Sequence, residues 1–180
     1  MTDEDTPPEL AIVGIGNELC SDDGVGPRVV ATIESTPGMP PRGTRLYNAG
    51  TTGFFALEAM SGCDRAIVVD AIETGAEPGT IHQYRFTDGA FDGEIPEVTM
   101  HDVSFTEALG FASDVYDLPD DVLIIGVEPE SLGTGFGLTD PVERAIPGVV
   151  ETIAAHEPAI DPDRLEGTAG PATEREVIDA

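Results

Sequence analysis

A single three-layer α/β/α domain with a mostly parallel, twisted sheet of about five strands is the fold this sequence predicts, on three observations. Short β-branched runs alternate along the chain with stretches of helical periodicity, as α/β units require. Two of those runs, Ile67-Val68-Val69 and Val122-Leu123-Ile124-Ile125, are apolar without alternation, which fits strands covered on both faces. Glycine and proline punctuate nearly every junction between segments.

In chain order, the first strand is expected over residues 10–15, a continuous apolar run that ends in a glycine-rich turn. A helix follows over 25–35, where the apolar residues recur at helical spacing, then a strand over 45–48 and a helix over 54–61. The buried strand 66–70 and a further strand over 80–85 come next, then a helix over 104–115 and the strand 122–127. The last helix spans 141–155, opened by Asp140 as N-cap with Pro141 in the first helical position. Beyond His156 the chain turns Pro-, Gly-, Asp- and Glu-rich without an apolar period. The domain is therefore placed at 8–156 and an acidic, disordered tail at 157–180.

Composition narrows the function classes. With 180 residues and 40% hydrophobic side chains the chain can fill one core. The formal net charge is −27, all eight basic residues are arginines and lysine is absent. Scattered arginines on so acidic a chain argue against a nucleic-acid groove, which needs clustered cations. Self-repulsion of this size falls away at molar salt, where the screening length is about 3 Å, so the composition reads as halophilic. The amino terminus, Met-Thr-Asp-Glu-Asp-Thr-Pro-Pro, lacks the basic and apolar regions of a signal peptide, and no apolar run approaches the ~20 residues that span a bilayer. A cytoplasmic, monomeric protein without membrane contact is expected. Cys20 and Cys63 have no Cys-x-x-Cys spacing and read as small buried or half-buried residues, with a disulfide between them left open.

Chemistry concentrates at residues 14–26, Gly-Ile-Gly-Asn-Glu-Leu-Cys-Ser-Asp-Asp-Gly-Val-Gly. The crevice outside the carboxyl ends of the strands is where open α/β sheets bind ligands, so Asp22 and Asp23 are expected to face it, with the glycines letting the backbone approach whatever sits there. A dinucleotide fingerprint fails on spacing, because its third glycine would fall on Leu19. Asp70 ends the strand 66–70, and His101 lies directly before the helix 104–115. If Asp23, Asp70 and His101 converge, they offer an oxygen, oxygen, nitrogen set that suits nickel, zinc, iron or cadmium. The structural alternative is that Asp23 caps the first helix, Asp70 caps a turn and His101 is a hydrogen-bonded loop residue. His82 and His156 read as structural or solvated. Glu128, Glu130 and Asp102 could orient ligands, but in so acidic a chain each reads first as a solvated surface acid. No His-Glu-x-x-His, Gly-x-Ser-x-Gly, Asp-Thr-Gly or Asp-Ser-Gly occurs.

Four motifs in register then carry a resemblance: Gly-Ile-Gly-Asn-x-Leu-x-x-Asp-Asp-Gly-Val-Gly; Val-Val-Asp-Ala with Pro-Gly-Thr downstream; Thr-Met-His-Asp; and Gly-Val-Glu-Pro-Glu-Ser-Leu, with Gly-Leu-Thr-Asp-Pro-Val before the last helix. From about residue 10 to His156 the chain resembles the hydrogenase maturation endopeptidases. The resemblance implies an α/β enzyme that clips a carboxyl-terminal extension from the precursor of a nickel-iron hydrogenase large subunit after nickel insertion. It also implies a catalytic, metal-contacting triad, which falls on Asp23, Asp70 and His101; some members carry glutamate at the position of Asp23. The nickel would come with the substrate, and zinc or cadmium would substitute for it in vitro. The alternative is a non-catalytic protein that checks or assembles the metal site of a nickel-containing client, which a client without a carboxyl-terminal extension would favour.

Overall fold

Alternation between two buried faces shapes the centre of the sheet. A computed structural model of the chain describes residues 9–87, 90–92, 109, 112 and 115–156. Its elements are β1 (Leu10–Ile15), α1 (Val25–Ser35), β2 (Thr44–Gly50), α2 (Gly53–Met60), β3 (Arg65–Ala71), β4 (Ile81–Thr87), β5 (Ala90–Phe91), β6 (Asp121–Val127) and α3 (Asp140–His156). Leu10 and Ile12 of β1, Ile67 and Val69 of β3, and Leu123, Ile125 and Val127 of β6 pack in one core with Val29 and Ile33 of α1 and Val142, Val149 and Ile153 of α3. Their strand neighbours Ala11, Val13, Val68, Val122 and Ile124 pack on the opposite face with Ala56, Leu57 and Met60 of α2 and with Leu109. Strands that bury both faces need apolar residues at every position, which is why these runs show no alternation.

The sheet order is β2-β1-β3-β6-β4-β5, six strands rather than five. β2, β1, β3 and β6 are parallel, whereas β4 runs antiparallel to β6 and β5 antiparallel to β4. The segment between β3 and β4 is too short for a parallel crossover, which takes a dozen or more residues, so β4 returns in the opposite direction. The chain passes through α1 to β2 on one side of β1, then through α2 to β3 on the other. The strand order thus reverses at β1 and β3, and a crevice opens between their carboxyl ends.

The glycines of the turn after β1 serve the chain's own packing, a correction to the expectation that they make room for a ligand. A Cβ at Gly26 would stand 2.2 Å from the Ile15 carbonyl oxygen, and one at Gly14 would stand 2.3 Å from that of Gly26. Only bare backbone lets the start of α1 lie directly on the end of β1. The last helix also differs by a residue from its expected start. The Glu143 N–H donates to the Thr139 carbonyl at 2.9 Å, so Thr139 rather than Asp140 flanks the first turn. Most of the expected helix 104–115, His101, Asp102 and the expected tail 157–180 lie outside the described residues.

Candidate active site at the carboxyl ends of the strands

The turn that leaves β1 is a 3-10 segment, Ser21–Gly24, entered through Ser21 at φ 50°. A serine in left-handed backbone costs about 1 kcal/mol or more and persists only where surroundings hold it. The two acids of this turn part company. Asp23 is 9% exposed and accepts the Asn17 N–H on Oδ2 at 2.9 Å. It does not cap α1, whose N-cap is Gly24 with no side-chain hydrogen bond. Asp22 does not face the crevice as expected. It is 0% exposed and turns into the protein, where it accepts hydrogen bonds from Glu130, Ser131 and Thr139.

Asp70 is the penultimate residue of β3, opposite Gly126 of β6, and is buried. Burial pushes its carboxyl well above the usual aspartate range. The Ala71 N–H, which donates to Oδ1 at 2.8 Å, opposes that shift, and the charge of Asp23 adds to it. The 3-10 turn packs against β3, so the two carboxylates expected to converge from β1 and β3 do lie within electrostatic reach of each other at the switch point. A buried pair of this kind can hold a cation through two oxygens or share a proton. Among the described residues no group of three His, Cys, Asp or Glu side chains is arranged to hold a metal. The third expected donor, His101, lies outside them.

Glu128, read from sequence as a solvated acid, is buried. Burial alone would raise its carboxyl. Donation from the Thr74 Oγ1–H at 2.8 Å, from the Thr74 and Gly75 N–H groups and from His82 outweighs burial and holds it below the usual glutamate range. His82, given no role from sequence, thereby helps pin the segment that follows Asp70. Glu130 is exposed, as expected, and its contribution is the main-chain N–H that reaches Asp22. The signal that could have exposed Asp22 was Thr139, which sits in the Gly-Leu-Thr-Asp-Pro-Val motif but reads there only as the approach to a helix. Cys20 and Cys63 are both free, and Cys20 accepts from the Asn17 side-chain amide at 3.3 Å.

The segments that leave the parallel strands expose apolar side chains. Leu19 follows β1, Phe54 and Phe55 open α2 after β2, and Leu132 and Phe136 follow β6; all five are exposed, Phe136 by 90%. Beside the turn lies a cavity of about 390 Å³ whose walls include Ser21, Arg28, Phe136 and Glu143. Arg28 and Glu143 form an ion pair there.

The structure is an open α/β sheet with two buried acids, Asp23 and Asp70, at its switch point, the place where sheets of this class bind ligands. Comparison with known proteins gives the family. The family model described as hydrogenase maturation protease matches residues 27–156. The hydrogenase expression/formation protein HoxM of Azotobacter vinelandii is 34% identical over 148 residues, covering 78% of this chain and 68% of that protein. The coenzyme F420 hydrogenase subunit delta of Methanothermobacter thermautotrophicus is 33% identical, over 81% of this chain and 92% of its own length. The solved structure of the hydrogenase maturating endopeptidase HybD from Escherichia coli superposes with a TM-score of 0.67 at 29% identity, covering 82% of this chain and 90% of that one. The chain belongs to the hydrogenase maturation protease family and is a peptidase. Among the described residues no helix is long and apolar enough to cross a membrane.

Proposed function

We propose that this peptidase removes a carboxyl-terminal extension from the precursor of a nickel-iron hydrogenase large subunit once nickel is in place, with Asp23, Asp70 and His101 contacting that nickel. The observation that carries the reading is the burial of Asp23 and Asp70 within reach of each other at the switch point of the sheet. Two such carboxylates repel, and an arriving divalent cation relieves the repulsion. Its charge also favours the ionised form of Asp70, so cation binding and loss of the Asp70 proton are coupled. A precursor without nickel brings no such charge, and the site stays unassembled around it. The nickel is the substrate's cargo, for which zinc or cadmium ions stand in when the isolated protein is titrated. This reading also takes the protein as a cytoplasmic monomer adapted to molar salt, with no nucleic-acid partner.

The test incubates the purified chain at high salt with nickel-loaded and nickel-free precursor and follows the mass of the released peptide. Release from the nickel-loaded form alone is expected. Alanine at Asp23, Asp70 or His101 should lower the rate by roughly 100-fold or more while the protein stays folded. Equal cleavage of both precursor forms would overturn the nickel reading.

A further inference from the structure

We infer that Asp22 is a positioning residue of this peptidase: its buried carboxylate braces the turn that carries Asp23 against residues 130–139 and thereby sets where Asp23 stands in the crevice. The inference rests on the reading of Asp23 given above.

Every contact of the Asp22 side chain points to a brace. Oδ1 accepts the Thr139 N–H at 2.6 Å, and Oδ2 accepts the Glu130 N–H at 2.9 Å, the Ser131 N–H at 3.0 Å and the Thr139 Oγ1–H at 2.9 Å. Three of the four donors are main-chain groups, which sequence changes leave in place. Both oxygens receive donors, so an amide in either orientation would turn its NH2 toward a main-chain N–H. The carboxylate is therefore required for its acceptor pattern and not merely for its shape.

The turn needs such a brace. It is four residues long, has no side-chain cap and begins at a serine in left-handed backbone. Its remaining ties to the segment after β6 are main-chain bonds, Ser21 N–H to Gly135 O, Asp22 N–H to Ser131 O and Gly135 N–H to Leu19 O. Asp22 and Asp23 are adjacent but point apart, Asp22 to residues 130–139 and Asp23 to Asn17 and the charge field of Asp70. Loss of the brace lets the turn shift, and a displacement of about 1 Å at a reacting group costs roughly 100-fold in rate. The braced segment also carries the exposed Leu132 and Phe136, so these side chains and Asp23 are held in one frame.

The experiment compares Asp22→Asn, Thr139→Val, Thr139→Ser and Asp23→Ala by thermal melting and by steady-state cleavage of nickel-loaded precursor. Thr139→Val keeps the main-chain bond and removes only the hydroxyl bond. It should fold, lose about tenfold in kcat and keep KM within about twofold, whereas Thr139→Ser should restore kcat; Asp22→Asn, where folded, should lose roughly 100-fold. A folded Thr139→Val with unchanged kcat, or a change confined to KM, would overturn the inference. If Asp23→Ala is inactive while the Asp22 and Thr139 variants cleave normally, the brace alone fails; if Asp23→Ala cleaves like the parent, the reading of the site fails and the brace with it.

Discussion

Asp70 shows what the site costs at the scale of one residue. Because burial raises its folded pKa above the unfolded value of 3.8, the folded chain binds this proton more tightly than the unfolded chain does. Stability therefore falls as pH rises from 3.8 through the folded pKa, and the deficit is complete above it. Replacement by asparagine removes the buried charge while keeping the acceptor that the Ala71 N–H uses. Asp70→Asn should melt like the parent below the unfolded pKa and gain about 1 kcal/mol, some 2–4 °C, near neutral pH, although it should not cleave. Paired melts across pH are the measurement, and a variant less stable than the parent at neutral pH would contradict the assignment. Glu128 is the contrasting acid. Equally buried, it receives enough donors to stay ionised, so it anchors the segment after β3 instead of straining it.

At the scale of elements, the segments that leave the parallel strands divide the work. Their inner residues hold the carboxylates, and their outer residues expose apolar surface on a chain that is otherwise strongly acidic. Phe136, flanked by Gly135 and Gly137 and 90% exposed, contributes nothing to the cores. Phe136→Ala should leave the melting temperature unchanged, since no buried contact is lost. If the ring is covered by precursor in the complex, its removal forfeits about 1.5–3 kcal/mol of binding, a rise in KM of tenfold or more with kcat nearly kept. Steady-state kinetics on the precursor separate this from the kcat effect expected of the Asp22 brace. Unchanged KM would mean that the client docks elsewhere.

For the whole molecule, the formal net charge is −27, a source of self-repulsion. The side-chain ion pairs of arginine among the described residues join Arg28 to Glu143 and both Arg65 and Arg85 to Asp121, far too little to offset the acidic excess. On the halophilic reading proposed above, screening by salt offsets the remainder. The melting temperature should climb steadily as salt rises from tenths of molar to molar, with the steepest gain while the screening length shrinks from about 10 Å toward 3 Å. A melting temperature indifferent to salt would remove the halophilic reading.

The sequence by itself marked β1, β3 and β6, because unbroken apolar runs mark strands buried on both faces and those runs are local, whereas the short β5 carries no such run and was not expected. It also marked Asp23 and Asp70, since each stands where a buried strand gives way to a turn. The tertiary structure alone decided which of the two neighbouring acids turns to residues 130–139, that Glu128 is buried, and that β4 runs antiparallel beside β6. The partners of Asp22 lie 108 to 117 positions away, and those of Glu128 as many as 54. Two adjacent aspartates have the same chemistry until folding gives one of them four donors and leaves the other beside Asp70. Local pattern records which surfaces must be buried; the pairing of a carboxylate with distant main-chain N–H groups is settled only when the strands are stacked in order.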